Sequence, residues 1–146
     1  MFARCLSAQK DERVKAAEFL ARPKKAFTGD KQAMIDAVRN ALYAAKIISY
    51  AQGFRLLREA SSEYGFDLNY GEIALMWRGG CIIRSQFLND IKKAYQTNPD
   101  IENLLMADFF IDAMRQAEEG WRKAVIFGIE MGIPTPAFST ALAYFD

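Results

Sequence analysis

Apolar positions along the chain recur at helical spacing, and strand-like alternation never persists beyond a few residues. Phe2 and Leu6 stand at i and i+4, which predicts a helix over residues 2–8 already under way at the start. A second helix is predicted from about Asp11 to Leu20, with Asp11 and Glu12 in the first turn, where the helix dipole favours negative charge. Residues 21–29 break the pattern with Pro23 and Gly29 and predict an exposed loop. The longest helix is predicted from about Asp30 to Tyr64. Its centre, ALYAAKIISYAQGF, is apolar almost all round, interrupted only by Lys46, Ser49 and Gln52. A helix of that kind is buried on most sides, and at 1.5 Å per residue it would span roughly 50 Å. Gly53, inside it, predicts close packing of a neighbouring helix in preference to a kink. Gly65 is placed to end it.

The stretch Asn69–Leu88, NYGEIALMWRGGCIIRSQFL, predicts helix, break, helix. Asn69 is the expected N-cap, with Glu72 completing a capping box. Ile73, Leu75, Met76 and Trp77 form a short apolar face, and Gly79-Gly80 breaks the helix. Cys81-Ile82-Ile83 is expected to restart it, which would put Arg84 near a helix N-terminus. There the free N–H groups and the dipole attract anions, and a guanidinium adds bidentate donors suited to a phosphate monoester. An ordinary ion pair is the commoner role for such an arginine. Helix is expected to continue from Ser85 to about Gln96 and to stop at Asn98-Pro99. A turn of helix over residues 101–106 follows, and then a helix capped by Asp108 that reaches about Glu130. Gly132 closes that helix, Pro134 and Pro136 flank a bend, and a last helix runs from about Thr135 to Tyr144.

Composition narrows the function classes. A formal net charge of +1 gives no electrostatic case for nucleic acid or an anionic membrane, and the Lys24-Lys25 and Lys92-Lys93 pairs are isolated. No apolar run approaches the ~20 residues of a membrane span. The N-terminus has no secretory pattern. Cys5 and Cys81 read as small buried or half-buried thiols, and with no histidine an ordinary zinc site is excluded. Ser49 has no activating His, Asp or Glu at helical spacing, which argues against a nucleophile. Glu118 and Glu119 point about 100° apart on a helix and so do not form a dyad.

The block ALYAAKIISYAQGFRLLREASSEYGFDLNYGEIALMWRGGCIIRSQFL, residues 41–88, closely resembles 6-phosphogluconate dehydrogenase, in its all-helical C-terminal domain. FARCLSAQKDERVKAA, NPDIENLL and GIPTPAFSTALAYFD extend the resemblance, in order, over essentially the whole chain. It implies an all-α fold organised around the long helix at about 30–64, in a single helical domain over residues 1–146. It also implies a role for Arg84 of the IIRS segment as an anchor for the 6-phosphate of the substrate. No G-x-G-x-x-G follows a strand-like run, so the nucleotide-binding domain that holds NADP in the family has no counterpart here. Neither do the catalytic lysine and glutamate, the Lys-Gly-Thr segment or the C-terminal tail. The chain is thus expected to be a fragment, without catalytic residues or a cofactor of its own and inactive alone.

Two functions are open on these grounds. The first is a piece of a cytoplasmic, NADP-dependent decarboxylating dehydrogenase of the pentose phosphate pathway. In that role it would contribute a weak 6-phosphogluconate anchor at Arg84 and the scaffold of a homodimer. The second is a non-catalytic helical module whose function is self-association.

Overall fold

Thirty-four consecutive residues form one helix in the computed structural model, which describes residues 8–20 and 26–146. Around it the chain runs α1 (Lys10–Leu20), α2 (Lys31–Tyr64), α3 (Tyr70–Met76), α4 (Leu88–Thr97), α5 (Asp108–Met131) and α6 (Pro136–Phe145). A single 3-10 turn, Leu104–Met106, precedes α5. The described residues are all-α. The helix expected over residues 2–8 lies outside them except for Ala8, a turn residue, and Cys5, Pro23 and the Lys24-Lys25 pair lie outside them altogether. The loop expected over residues 21–29 is described only from residue 26.

The long helix starts and stops where its end residues dictate. The Asp30 carboxylate accepts from the backbone N–H groups of Gln32 at 2.8 Å and Ala33 at 3.1 Å, satisfying two otherwise orphaned donors. Gly65 takes φ 67° and turns its N–H onto the Ser61 carbonyl, a left-handed ending that side chains with a Cβ resist. The packed face of α2 is rich in small residues. Ala37, Ala41, Ala44 and Ala51 are buried beside Ile47, Ile48 and Phe54. Small side chains let α5 lie close along it, and α5 reciprocates with Ala113, Ala117, Ala124 and Gly120. A Cβ at Gly120 would stand 2.6 Å from the Asn40 side chain, so the two helices are in direct contact there.

α6 closes one end of this pair. Trp121 of α5 is fully buried, and its indole N–H donates to the Phe138 carbonyl at 3.1 Å. Pro136 occupies the first turn of α6, where its missing N–H costs nothing, so it begins the helix and does not merely flank a bend. Arg122 donates to Glu118 one turn back and to Asp146 beyond the end of α6. Those hydrogen bonds, Asp146 first, raise the guanidinium pKa further above its ordinary value, and the same contact lowers that of Asp146.

Three expectations about helix ends need correction. Asp108 does not cap α5: Ala107 is the N-cap, without a side-chain bond, and Asp108 is the first helical residue. Asn69 does cap α3, accepting from the Glu72 N–H at 3.1 Å. The return half of that capping box is absent, because the Glu72 carboxylate reaches Lys92 at 2.7 Å and joins α3 to α4. The third correction is the larger one. Residues 77–87 contain no helix: they cross over α2 as turns, and helix resumes only at Leu88, not at Cys81 or Ser85.

Gly53 also departs from expectation. Nothing lies within 4 Å of a Cβ built there, so no neighbouring helix requires the glycine. Gly53→Ala is therefore expected to stabilise the fold by about 0.5–1 kcal/mol, since alanine restricts the unfolded chain and suits a helix interior. Urea unfolding checks this, and a lower midpoint for the variant would show that the open space is needed.

Candidate functional site

The crossover of residues 77–87 is anchored at both ends and loose between them. At its start Trp77 stacks over α2, its ring centroid 5.6 Å from Phe54 and 6.0 Å from Tyr50. At its end Phe87, only 3% exposed, packs edge-on against Tyr50 at 5.2 Å and Phe110 at 5.9 Å. In the middle Gly80 turns the chain with φ 66°, and Ile82 is completely exposed. A β-branched pair in this position gains nothing from helix formation when one of its members faces water. The Arg84 carbonyl, which a continuing helix would offer to the N–H four residues on, instead accepts from the Lys46 ammonium of α2 at 2.9 Å.

This path leaves an open groove of about 480 Å³ along α2 on one side of the crossover. Arg39, Tyr43 and Lys46 line it from α2 at i, i+4 and i+7, one face of the helix. Arg78 and Arg84 line it from the crossover, with Ser85 beside them. Of its four cations only Arg39 has a carboxylate partner among the described residues, Asp36 at 2.7 Å. Arg84 is exposed, and among the described residues its side chain enters no ion pair or hydrogen bond. Burial, and secondarily Asp90, raise the Tyr43 pKa, so at neutral pH its phenol stays uncharged between the cations. A groove with three cations unpaired by carboxylates among the described residues, a phenol and a serine suits an anion carrying hydroxyl groups.

Sequence reasoning singled out Arg84 for its place at a helix N-terminus, and that rationale does not hold, because no helix begins near it. It missed Arg39, Lys46 and Arg78. Lys46 drew notice only as an interruption of the apolar stretch. The available signal was Arg39, Tyr43 and Lys46 at i, i+4 and i+7, one helical face that runs into the apolar centre of α2.

On the other side of the crossover lies an apolar recess of about 150 Å³, lined by Tyr50, Gly53, Phe54, Trp77 and Ile83. The Tyr50 hydroxyl is buried without a hydrogen-bond partner, and its pKa is raised, first by burial and then by Cys81. Cys81 is a half-buried free thiol. Ser49 spends its hydroxyl on the Ala45 carbonyl at 2.9 Å, the back-bond of a helical serine. Glu118 and Glu119 turn apart, to Arg122 at 3.0 Å and Lys123 at 2.6 Å. Among the described residues no three His, Cys, Asp or Glu side chains cluster as metal ligands, and no helix is long and apolar enough to cross a membrane.

Comparison with known proteins places these residues in a wider context. The family model described as 6-phosphogluconate dehydrogenase, C-terminal domain, matches residues 1–146. The decarboxylating 6-phosphogluconate dehydrogenase of Homo sapiens is 56% identical over 147 residues, covering 100% of this chain and 30% of the relative. Enzyme 1 of Saccharomyces cerevisiae is 56% identical over 148 residues, with the same coverage of 100% and 30%. The solved 6-phosphogluconate dehydrogenase of Plasmodium falciparum, described in apo form and in complexes with NADP+ and 6-phosphogluconate, is 41% identical. It superposes with a TM-score of 0.90 over 98% of this chain and 31% of its own. The chain thus spans about 30% of the length of the curated relatives it matches.

Proposed function

The chain belongs to the family of the 6-phosphogluconate dehydrogenase C-terminal domain, and from that premise we propose that it is the helical part of a decarboxylating 6-phosphogluconate dehydrogenase. The complete enzyme would oxidise and decarboxylate 6-phosphogluconate to ribulose 5-phosphate while reducing NADP, in the cytoplasmic pentose phosphate pathway. These residues do not fit NADP. Gly79-Gly80 follows a helix and leads into turns, whereas a pyrophosphate cradle needs glycines between a strand and a helix N-terminus. The contribution of the present residues is to hold substrate and to support assembly. Binding far from the reacting carbon helps the chemical step by fixing the substrate's orientation.

The observation that carries the binding role is the open groove in which Arg84 stands exposed beside Arg39, Lys46 and Arg78. A phosphate monoester there would meet at least one planar bidentate donor. With no pocket walls beyond the groove among the described residues, the expected affinity of the isolated chain is millimolar or weaker, about 4 kcal/mol or less. The test is a titration of 6-phosphogluconate followed by amide chemical shifts in the wild type and Arg84→Ala. Saturable shifts around the groove that vanish in Arg84→Ala support the proposal. Identical shifts in wild type and Arg84→Ala would return Arg84 to a packing role.

Self-association belongs to this reading and is also the whole of the alternative, a non-catalytic helical module. It is supported by apolar side chains left uncovered on α2, where Ile35 is 44%, Val38 42% and Leu42 60% exposed. Side chains of that kind in contiguity mark a surface that another chain covers. A homodimer burying roughly 2,000 Å² or more is expected. Sedimentation that stays monomeric at every concentration would count against it. Saturable 6-phosphogluconate binding separates the enzyme reading from the module.

A further inference from the structure

We infer that Lys46 is a positioning residue: its ammonium ties the crossover to α2 and so sets where the Arg84 guanidinium can reach. The inference rests on the reading of the basic groove as a phosphate site.

Between Trp77 and Phe87 the crossover has little of its own to hold it. Its central turn carries one weak backbone bond, from the Arg84 N–H to the Cys81 carbonyl at 3.4 Å, and Ile82 contributes no burial. Lys46 adds a bond from outside the segment, 2.9 Å long and spanning 38 residues of sequence. It grips the backbone of Arg84 itself. Fixing that carbonyl fixes the Cα from which the long arginine side chain swings. Lys46 is half-buried on α2, three residues beyond Tyr43, whose ring packs edge-on against Phe87 at 5.9 Å.

The bond also explains the charge pattern. A lysine that donated to a carboxylate would be neutralised, but a carbonyl leaves the full charge in place. The charged and polar groups that line the groove with it are Arg39 and Tyr43 on α2 and Arg78, Arg84, Ser85 and Gln86 on the crossover. Lys46 therefore orders the segment and keeps its charge available to an anion in the same groove. The cost of ordering the backbone that carries Arg84 is met before the ligand arrives, which strengthens binding without adding a contact.

The test uses the whole chain, with 6-phosphogluconate and inorganic phosphate as probes and backbone amide spectra as readout. The variants are Lys46→Met, Lys46→Arg and Arg39→Met. Lys46→Met keeps the aliphatic stem but cannot donate, so the Ser85 amide, which shares a peptide unit with the tied carbonyl, is expected to shift. Residues 82–86 should exchange faster with solvent, and phosphate affinity should fall about tenfold. Lys46→Arg, which can still donate, is expected to restore both within about twofold. Arg39→Met removes one groove charge without touching the tie. It should weaken binding less and leave residues 82–86 unmoved. The inference is overturned if Lys46→Met leaves the 82–86 amides in place, or if Lys46→Met and Arg39→Met weaken binding equally. If wild type binds neither probe, the groove reading itself fails and the role of Lys46 falls with it. That outcome is recognisable because the amide shifts in Lys46→Met would persist without any binding to modulate.

Discussion

Trp121→Ala is expected to lower the unfolding free energy by about 3–5 kcal/mol, as for other large-to-small changes of fully buried aromatics. Trp121 is the largest side chain with no exposure at all. It stands where α5, α6 and the end of the chain meet, with the Phe145 ring 6.0 Å away. Removing it opens a cavity among elements that cannot all collapse, because α5 is held along α2 by its alanine face. It also removes the indole hydrogen bond to the Phe138 carbonyl, a net loss of about 0.5–1.5 kcal/mol. Trp121→Phe should recover much of the packing but not the hydrogen bond. Urea unfolding followed by far-ultraviolet circular dichroism measures both variants. A loss below about 1 kcal/mol for the alanine variant would mean that α6 contributes little to the cooperative unit.

The same region shows what local sequence can and cannot convey. The ends of α2 were legible because Asp30 and Gly65 act on backbone groups within four residues of themselves, and a cap of that kind is written in a short window. α5 was legible because its apolar positions keep one period for over twenty residues. The crossover was not. Cys81-Ile82-Ile83 after two glycines has the local signature of a new helix, and nothing nearby contradicts it. The contradiction comes from Lys46, which takes the Arg84 carbonyl from another element. Phe87 contributes as well, by entering the core where a continuing helix would have placed it differently.

The basic groove was hidden for a related reason. Arg39 and Lys46 are polar positions on a mostly apolar helix, and Arg78 and Arg84 flank a glycine pair; in each window they look like solvated surface. Only the crossing of the two segments brings four cations to one opening. Gly53 erred in the opposite direction. A glycine inside an apolar helix is commonly a contact point, yet here the neighbouring space belongs to a recess that Trp77 and Ile83 leave unfilled.

Phe54→Ala is the second large effect expected, again about 3–5 kcal/mol. Phe54 is 1% exposed and lies between the Trp77 ring at 5.6 Å and the Tyr95 ring at 5.5 Å, so one side chain joins α2, the crossover and α4. Aromatic neighbours at these separations add about 0.5–1.5 kcal/mol per pair beyond area burial. Burial here also raises the Tyr95 pKa to about 12. Loss of Phe54 admits water beneath Trp77. Because the chain has two tryptophans and Trp121 remains enclosed, a red shift in emission before any global unfolding would report Trp77 alone. The comparison with Lys46→Met then separates two kinds of restraint on one segment. Phe54 acts through the core, so its loss should move the unfolding midpoint strongly. Lys46 acts through one hydrogen bond at the surface, worth about 0.5–1.5 kcal/mol net, so its loss should leave the midpoint nearly in place while loosening residues 82–86. Equal midpoint shifts for the two variants would show that the crossover is held by the core alone.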